Sequence, residues 1–237
     1  EKITSLTQKP PAPADRAASQ TEVEPTAPTW TAFEADAEIS AMKTADLQDG
    51  RGQCIFVCRG SSLERLDQSG DLLWSFDAEG KVRDVAFGDI HESPGSEVIF
   101  GSMDTYLYVL SAEGKLIDKR QMRGIPYARS FGERPFGVYN VGCWDINDDG
   151  SLEIIATMGN YDMQALTSDL DLIWRYNTHA LHGSMQLSFE DTDGDQQPDT
   201  IFVGDKYGSA KGIEPDGMRR FRRYTSIGDV FYAVGDL

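Results

Sequence analysis

The chain has 237 residues, of which 40% are hydrophobic and 26% are charged, and its formal net charge is −17. This length and composition suit one all-β domain or two small domains. The acidic charge argues against nucleic-acid binding and against binding to an anionic membrane surface, because both favour basic surfaces. No apolar run is long enough to cross a membrane, so we expect no membrane insertion within this chain.

Residues 1–29 are rich in Pro, Ala, Thr and Glu and contain almost no large apolar side chain. Such a segment cannot bury enough apolar surface to fold, so the sequence predicts a linker or a disordered tail here. A segment of this kind typically follows a secretion signal, a membrane anchor or another domain. The predicted ordered part is residues 30–237.

From residue 30 onward, two markers recur along the chain. One is an aromatic residue that closes a strand, found at Trp30, Trp74, Trp174 and Phe221, with Asp118 at the corresponding position of the second repeat. The other is an Asp that opens an acidic loop, found at Asp46, Asp89, Asp145, Asp191 and Asp236. Both series advance by roughly 43 to 47 residues apart from one longer step, and two independent markers with one period indicate a structural repeat.

Each repeat resolves into four short strands, as the second repeat illustrates. Its strands are predicted at 82–90, 97–102, 105–111 and 115–120. Gly114 ends the turn between the third and fourth strands, where Gly supplies the positive φ that a tight hairpin requires. The corresponding turn of the third repeat, 168–171, has no Gly, and we expect an Asp to adopt that conformation.

Four antiparallel strands repeated at about 45 residues are typical of a β-propeller blade. The sequence therefore predicts an all-β fold, a β-propeller of four-stranded antiparallel blades, the alternative being a β-sandwich with accidental periodicity. The predicted blades span 37–76, 81–120, 137–177 and 182–223, and a fifth would start at 227–237. Four complete blades and one partial blade do not close a ring well. We therefore expect part of a larger propeller of about six to eight blades, completed by the remainder of the protein or by another chain.

Two motifs carry a resemblance to known repeat families. The segments DxNxDGxxEI at 145–154 and DxDxDxxxDTI at 191–201 resemble the FG-GAP and VCBS-type repeats of integrin α-subunit propellers and of many bacterial secreted proteins. The hairpin LDQSGDLLW at 66–74 is similar to the PQQ-like repeat of quinoprotein propellers and of outer-membrane assembly lipoproteins. The resemblance covers residues 30–237. It implies architecture rather than function, because these repeats serve adhesion, scaffolding and several enzyme classes.

The acidic loops of the third and fourth repeats predict two structural Ca²⁺ sites. A hard cation takes several oxygen ligands, which carboxylates at alternate positions and a backbone carbonyl supply. The alternative is an Asp-rich turn whose carboxylates cap backbone N–H groups. In the third repeat the expected ligands are Asp145, Asn147, Asp149, the Ser151 carbonyl and Glu153. In the fourth they are Asp191, Asp193, Asp195, the Gln197 carbonyl and Asp199.

The loops of the first two repeats are expected to bind no calcium. The loop after Asp46 is one residue short, and the loop after Asp89 lacks the later ligands. Where the ligands are complete they lie in one hairpin, so the ion would stabilise the blade rather than take part in catalysis. Millimolar extracellular calcium fills even a weak site, so the predicted location is extracellular, at the cell surface or periplasmic.

The longer step between the second and third repeats, residues 119–140, is the predicted ligand-binding loop. It groups basic and aromatic side chains in an otherwise acidic chain. Arg suits carboxylates and sulfates, whereas aromatic faces suit sugar rings and apolar side chains. Loops on a rigid scaffold commonly carry function, although these aromatics could instead pack on the neighbouring blade. The expected contacts to a protein or glycan ligand are Arg123, Tyr127, Arg129, Arg134 and Phe136.

These features predict a secreted or surface, calcium-stabilised β-propeller that acts as a protein- or glycan-binding or scaffolding module. The alternative is a propeller-fold polysaccharide lyase or another carbohydrate-active enzyme that uses the 119–140 loop. Some lyases on propeller scaffolds use His, Tyr and Arg to neutralise a uronate and remove its C5 proton. Here Tyr127, Arg129, Arg134 and His182 would be the catalytic residues.

Overall fold

The computed structural model describes residues 37–92, 94–125, 132–160, 162–177, 184–192, 197–205 and 209–224. Contacts divide the chain into two units, Glu1–Thr31 and Ala32–Leu237, and every described residue lies in the second. The described residues form β-strands and no α-helix. Accordingly, none of them belongs to a helix long and apolar enough to span a membrane.

Four four-stranded antiparallel sheets follow one another along the chain, each with its strands in sequence order. We call them blades 1 to 4 and number the strands in chain order. Blade 1 contains β1 (Ile39–Asp46), β2 (Gln53–Arg59), β3 (Ser62–Leu66) and β4 (Leu72–Asp77), and blade 2 contains β5 (Val82–Gly88), β6 (Glu97–Ser102), β7 (Tyr106–Leu110) and β8 (Leu116–Gln121). After blade 2 comes a short two-stranded element, in which β9 (Arg123–Gly124) pairs with β10 (Arg134–Pro135). We call this element the ribbon, and blades 3 and 4 follow it.

Blade 3 contains β11 (Val138–Trp144), β12 (Glu153–Met158), β13 (Asp162–Leu166) and β14 (Leu172–Asn177). Blade 4 contains β15 (Ser184–Glu190), β16 (Thr200–Asp205), β17 (Ser209–Ile213) and β18 (Arg219–Tyr224). This is the architecture of propeller blades, and it confirms the predicted all-β fold with four-stranded antiparallel blades.

The blades share their irregularities as well as their strand order. The pairing of the first two strands shifts once in every blade, between Ile39/Ala41, Val82/Asp84, Val138/Asn140 and Ser184/Gln186. The pairing of the last two strands shifts once at its outer end, for example between Arg65 and Leu66. Such bulges bend a strand and increase its twist, so the same bend recurs in each blade.

The hydrophobic core lies between successive blades. The second strand of a blade is buried on both faces: Val98 and Phe100 of β6 pack towards blade 1, whereas Ile99 packs towards blade 3. This explains why the second strands are continuous apolar runs rather than alternating ones. In blades 1 to 3 the residue that follows the Asp marker, Leu47, Ile90 or Ile146, also packs into one of these interfaces.

One turn differs from the expectation. The hairpins between third and fourth strands have positive φ at Gly70, Gly114 and Gly217, but in blade 3 the residue with positive φ (63°) is Leu170, not an Asp. An L-residue in this conformation costs about 1–2 kcal/mol. The Leu170 side chain is only 3% exposed and packs in the core between blades 2 and 3, which offsets that cost.

The connection between blades 2 and 3 is shorter than the predicted loop at 119–140. Lys119 and Arg120 belong to β8, and Tyr139 belongs to β11. The Lys119 ammonium lies 4.8 Å from the Tyr106 ring centroid and the Arg83 guanidinium 4.9 Å from that of Tyr139. The two ends of the predicted loop therefore belong to strands of blades 2 and 3, and the connection itself is 122–137.

Candidate functional site

The ribbon is fixed to blade 3 at its base. The Ile125 N–H donates to Asp162 Oδ2 at 2.9 Å, and the Asn160 side-chain amide donates to the Ile125 carbonyl at 3.2 Å. Two residues earlier, in the ribbon strand β9, the Arg123 carbonyl accepts a 2.8 Å hydrogen bond from Gln164 Nε2. Asp162, Gln164 and Asn160 are all at least 98% buried, so these contacts are shielded from water.

Asp162 is the centre of this anchor. Besides Ile125, it accepts hydrogen bonds from Asn177 at 2.6 Å and from Asn160 at 3.2 Å. Burial raises the pKa of Asp162, although these hydrogen bonds act in the opposite direction. The ribbon approaches so closely that a Cβ at Gly124 would lie 2.5 Å from Asp162 Oδ2 and 2.0 Å from the Asn160 amide nitrogen. Only glycine fits there.

Arg175 of β14 contacts the ribbon strand β9 and the residue just before β10. Its Nη1 donates to Glu133 Oε1 at 2.5 Å, and its Nη2 donates to the Arg123 carbonyl at 3.1 Å. The hydrogen bond from Arg175 lowers the pKa of Glu133. One arginine thus clamps the two ends of the connection together at the edge of blade 3.

Three of the five predicted ligand-binding residues lie together on the ribbon and just after it. Arg123 and Arg134 are exposed on its two paired strands. The Arg134 guanidinium stands 5.2 Å from the centroid of the Phe136 ring, and Arg123 Nη1 donates to Gln121 at 3.1 Å. Tyr127 and Arg129 lie outside the described residues.

The proposed lyase residues cannot be compared as a group, because Tyr127, Arg129 and His182 lie outside the described residues. Arg134 alone is placed, exposed and over Phe136. The lyase hypothesis therefore stays a sequence-based prediction.

In the acidic loop of blade 3, the side chains cap the backbone of their own loop. Asp145 Oδ2 accepts from the Gly150 N–H at 2.8 Å, and Asn147 Oδ1 accepts from the Asp149 N–H at 2.9 Å. Asp149 Oδ1 in turn accepts from the Ser151 N–H at 2.8 Å, and that hydrogen bond lowers the pKa of Asp149. Gly150, with φ at 88°, makes the sharp bend of this loop.

Glu153 closes this loop at the start of β12. Its Oε2 accepts from the Ile146 N–H at 2.9 Å and its Oε1 from the Asn147 side chain at 3.2 Å. Burial raises the pKa of Glu153, and the nearby carboxylates of Asp149 and Asp145 raise it further. A bound cation would relieve that repulsion.

The donor set of this loop suits Ca²⁺ in kind. Each carboxylate oxygen has a second lone pair beside the one that accepts an N–H. Within the described part of the chain, no three His, Cys, Asp or Glu side chains are already gathered as a metal cluster. An ion would therefore also need the Asn147 side chain, the Ser151 carbonyl and an inward movement of the carboxylates.

The acidic loop of blade 4 has a different arrangement around Asp199. Its carboxylate accepts hydrogen bonds from the Thr192 hydroxyl at 2.7 Å and the Thr200 hydroxyl at 2.8 Å, and pairs with Arg220 Nη1 at 3.1 Å. Burial acts to raise the pKa of Asp199, but these contacts outweigh it and lower the pKa to about 2. Asp193 and Asp195 lie outside the described residues, whereas Asp191 and Gln197 flank that segment.

Sequence reasoning missed Glu97, which corresponds to Glu153. Glu97 starts β6, is fully buried, and accepts from the Ile90 N–H at 2.9 Å and the His91 N–H at 3.2 Å. Blade 2 has no complete acidic loop, yet Glu97 accepts a hydrogen bond from the Ile90 N–H just as Glu153 accepts one from the Ile146 N–H. A Glu at this position therefore caps the loop between the first and second strands in both blades. The sequence signal was a Glu immediately before each apolar run, in EVIF and EIIA.

No protein-family model matches the sequence, and a search of curated proteins gives no match. Among solved structures the chain is similar to the Dos1 propeller, with a TM-score of 0.58, 13% identity, and coverage of 80% of this chain and 47% of that chain. It is also similar to BBS1N, solved in complex with ARL6DN, with a TM-score of 0.57, 11% identity, and coverage of 79% and 56%.

A third similar structure is BamB from Moraxella catarrhalis, with a TM-score of 0.49, 15% identity, and coverage of 81% of this chain and 49% of that chain. At such identities, the likeness to the Dos1 propeller and to BBS1N shows the fold alone. The chain spans about half the length of each of these three structures.

Proposed function

We propose that this chain is a binding module, part of a rigid β-propeller whose ribbon contacts a protein or glycan ligand. One observation carries this proposal. Buried polar groups of blade 3 hold the base of the ribbon, whereas Arg123 and Arg134 on the same ribbon remain exposed. A loop held this way presents its charged groups at little further cost in conformational entropy, which favours binding.

The chemistry of the ribbon favours an anionic ligand. Arg guanidinium groups form paired hydrogen bonds with carboxylates and sulfates. Phe136, beside Arg134, adds an aromatic face for a sugar ring or an apolar side chain. A protein ligand would accord with the similar structure of BBS1N, which was solved in complex with ARL6DN.

The proposed module is stabilised by Ca²⁺ at the blade 3 loop, with Asp145, Asn147, Asp149, Glu153 and the Ser151 carbonyl as ligands. Glu153 and Asn147 meet in this loop, where the Asn147 amide donates to the Glu153 carboxylate at 3.2 Å. Burial is the main cause that raises the pKa of Glu153, and the nearby Asp149 and Asp145 carboxylates raise it further, so several oxygen donors of the kind that Ca²⁺ takes lie close together. A second ion at residues 191–199 would have to compete with Arg220 for Asp199. Calcium stabilisation fits an extracellular, surface or periplasmic location, where the ion is abundant.

The ribbon is tested with a double variant, Arg123→Ala with Arg134→Ala. The probes are immobilised heparin, polygalacturonate and a poly-glutamate peptide, with neutral dextran as the blank. We expect the wild-type protein to bind at least one anionic probe and the variant to bind about tenfold more weakly, since two charge-assisted contacts are lost. The matched control is Arg51→Ala with Lys115→Ala, which removes the same charge from exposed sites on blades 1 and 2.

Binding to none of the anionic probes, or an equal loss in the control variant, would contradict the assignment to the ribbon. Asp162→Ala supplies an independent check. It leaves both arginines in place but removes the anchor of Ile125. We expect faster amide exchange at Ile125 and weaker binding, with the melting temperature measured alongside.

A further inference from the structure

A groove runs between blades 3 and 4 at the end of the blades opposite the ribbon. The groove is lined by two kinds of connection, those between first and second strands and those between third and fourth strands. The ribbon instead contacts the start of β13, at the other end of blade 3. Two adjoining cavities of about 650 and 240 Å³ share Ile146 and Pro215 in their walls. Ligand sites typically occupy about 300–1,000 Å³, so the groove is large enough for several side chains of a bound segment.

The floor of the groove is aromatic and aliphatic. Trp174 and Ile173 of β14 line it from blade 3, and Pro215 lines it from the hairpin of blade 4. The Trp174 indole N–H donates to the Pro215 carbonyl at 2.8 Å, so the ring is held in one orientation. Ile173 is 43% exposed, which leaves apolar surface available to a partner.

The rim of the groove is acidic. None of the described lining residues is Lys or Arg. Five carboxylates line the two cavities, those of Asp145, Asp148, Asp199, Glu214 and Asp216. Arg220 pairs with two of them, at 3.1 Å from Asp199 and 3.6 Å from Glu214. Asp148 and Asp216 carry no ion pair to that arginine and are not among the proposed calcium ligands, so the groove retains negative charge even with Ca²⁺ bound.

We propose that this groove binds a segment of a partner protein in which Arg or Lys lies beside an apolar side chain. A cation is attracted both to the carboxylates and to the face of a Trp ring, and the apolar neighbour would cover Ile173. This site differs from the ribbon in charge and in position. It therefore stands whether or not the ribbon binds an anionic ligand.

The probe is a fluorescein-labelled peptide of alternating Arg and Leu, compared with a Glu–Leu peptide and an Arg–Gly peptide of the same length. Anisotropy should show the tightest binding for the Arg–Leu peptide. Its affinity should fall as NaCl rises from about 50 to about 300 mM, because exposed charges are screened. Ile173→Ser should weaken binding about fivefold through lost apolar contact, and Asp216→Asn about threefold through lost charge.

Matched controls come from blade 2, where Ile117 and Glu113 occupy the positions of Ile173 and Asp216. Ile117→Ser and Glu113→Gln should leave the affinity unchanged. Asp216→Asn keeps the side-chain oxygen that accepts the Met218 N–H, so it tests the charge even if Ile173→Ser proves unstable. Equal binding of the Glu–Leu peptide, no binding of the Arg–Leu peptide, or equal losses in the controls would overturn the proposal. So would salt-sensitive self-association in place of peptide binding, since the occupant would then be a second copy of this chain.

Discussion

The indole ring of Trp74, in the last strand of blade 1, lies directly against Gly114 in the hairpin of blade 2. A Cβ at Gly114 would come within 2.6 Å of the ring, and the Trp74 N–H donates to the neighbouring Ala112 carbonyl at 2.9 Å. Trp174 repeats the arrangement on Gly217 of blade 4, with a closest approach of 2.7 Å. Each of these tryptophans therefore fastens its blade to the hairpin of the next.

Gly114→Ala should lower the free energy of unfolding by about 3 kcal/mol. Part of the loss comes from placing Ala at positive φ, and the rest from overpacking against Trp74. Gly50→Ala is the matched control, because Gly50 has a similar φ of 84° with nothing within 4 Å of the added Cβ; it should cost only about 1 kcal/mol. Urea denaturation measures both, and equal losses would show that the Trp74 contact contributes nothing.

The interface between blades 2 and 3 uses different residues for the same purpose. Asp118 occupies the strand position that Trp74 and Trp174 occupy in blades 1 and 3. In place of an indole N–H, the Arg120 side chain donates to a carbonyl of the next hairpin, that of Leu170. No indole ring covers the hairpin of blade 3. The position equivalent to Gly114 therefore has room there for the Leu170 side chain. The aromatic residue in one blade thus determines whether the next hairpin needs glycine.

This dependence predicts favourable coupling between Asp118→Trp and Leu170→Gly. Each single change should destabilise the protein, the first by a clash with Leu170 and the second by about 2 kcal/mol or more of lost core packing. The double variant should be at least about 1 kcal/mol more stable than the sum of the two effects, as for residues in contact. Additive free energies of unfolding in the double-mutant cycle would refute the coupling.

Local patterns made the blades predictable, whereas contacts between blades did not follow from them. The second strands are recognisable because burial on both faces makes them apolar throughout, as in EVIFGS at β6. The hairpin of blade 3 can carry the Leu170 side chain because Asp118, about 50 residues earlier in sequence, replaces the indole ring that covers the hairpin elsewhere, so no local rule predicts a leucine there. Similarly, Asp162 looks like an ordinary strand-opening residue, and only the packing of the ribbon on it makes it an anchor.

Arg65 of blade 1 is buried, forms an ion pair with Asp49 of the same blade, and also hydrogen-bonds to blade 2. Arg65, 1% exposed, donates to Asp49 at 2.7 Å and to the Ala112 carbonyl at 2.8 Å, the same carbonyl that Trp74 binds. The hydrogen bond from Arg65 lowers the pKa of Asp49 below its ordinary value of 3.8. The ionised carboxylate therefore contributes stability above that value, and the contribution is lost as pH falls through the folded-state pKa.

Asp49→Asn should accordingly lower the free energy of unfolding by about 2 kcal/mol near neutral pH, because Arg65 loses its counter-charge while remaining buried. The deficit should shrink on acidification below about pH 3.8, where the wild-type carboxyl group also becomes protonated. Asp46→Asn in the same loop is the control, since Asp46 only caps the Gln48 N–H. A deficit that does not change with pH would contradict the ionic origin of the effect.

Chelation should distinguish the stability that a bound Ca²⁺ contributes from the stability that the loop's own hydrogen bonds contribute. Glu153 and Asp145 cap backbone N–H groups of the blade 3 loop, so this loop should keep its shape after chelation yet lose stability. Adding EDTA should lower the melting temperature by several degrees, and millimolar CaCl₂ should restore it, because a ligand that binds only the folded state stabilises it by mass action.

Asp149→Ala should abolish most of this response, whereas Asp148→Asn should retain it. Asp148 is the adjacent residue and has a φ of 59°, which Asn tolerates, and it is not among the expected ligands. Calorimetric titration of both variants with CaCl₂ measures binding directly. If the wild-type melting temperature is unchanged by EDTA, or if Asp149→Ala responds as the wild type does, the acidic side chains of this loop act only as caps for its backbone, as the glutamate in blade 2 does.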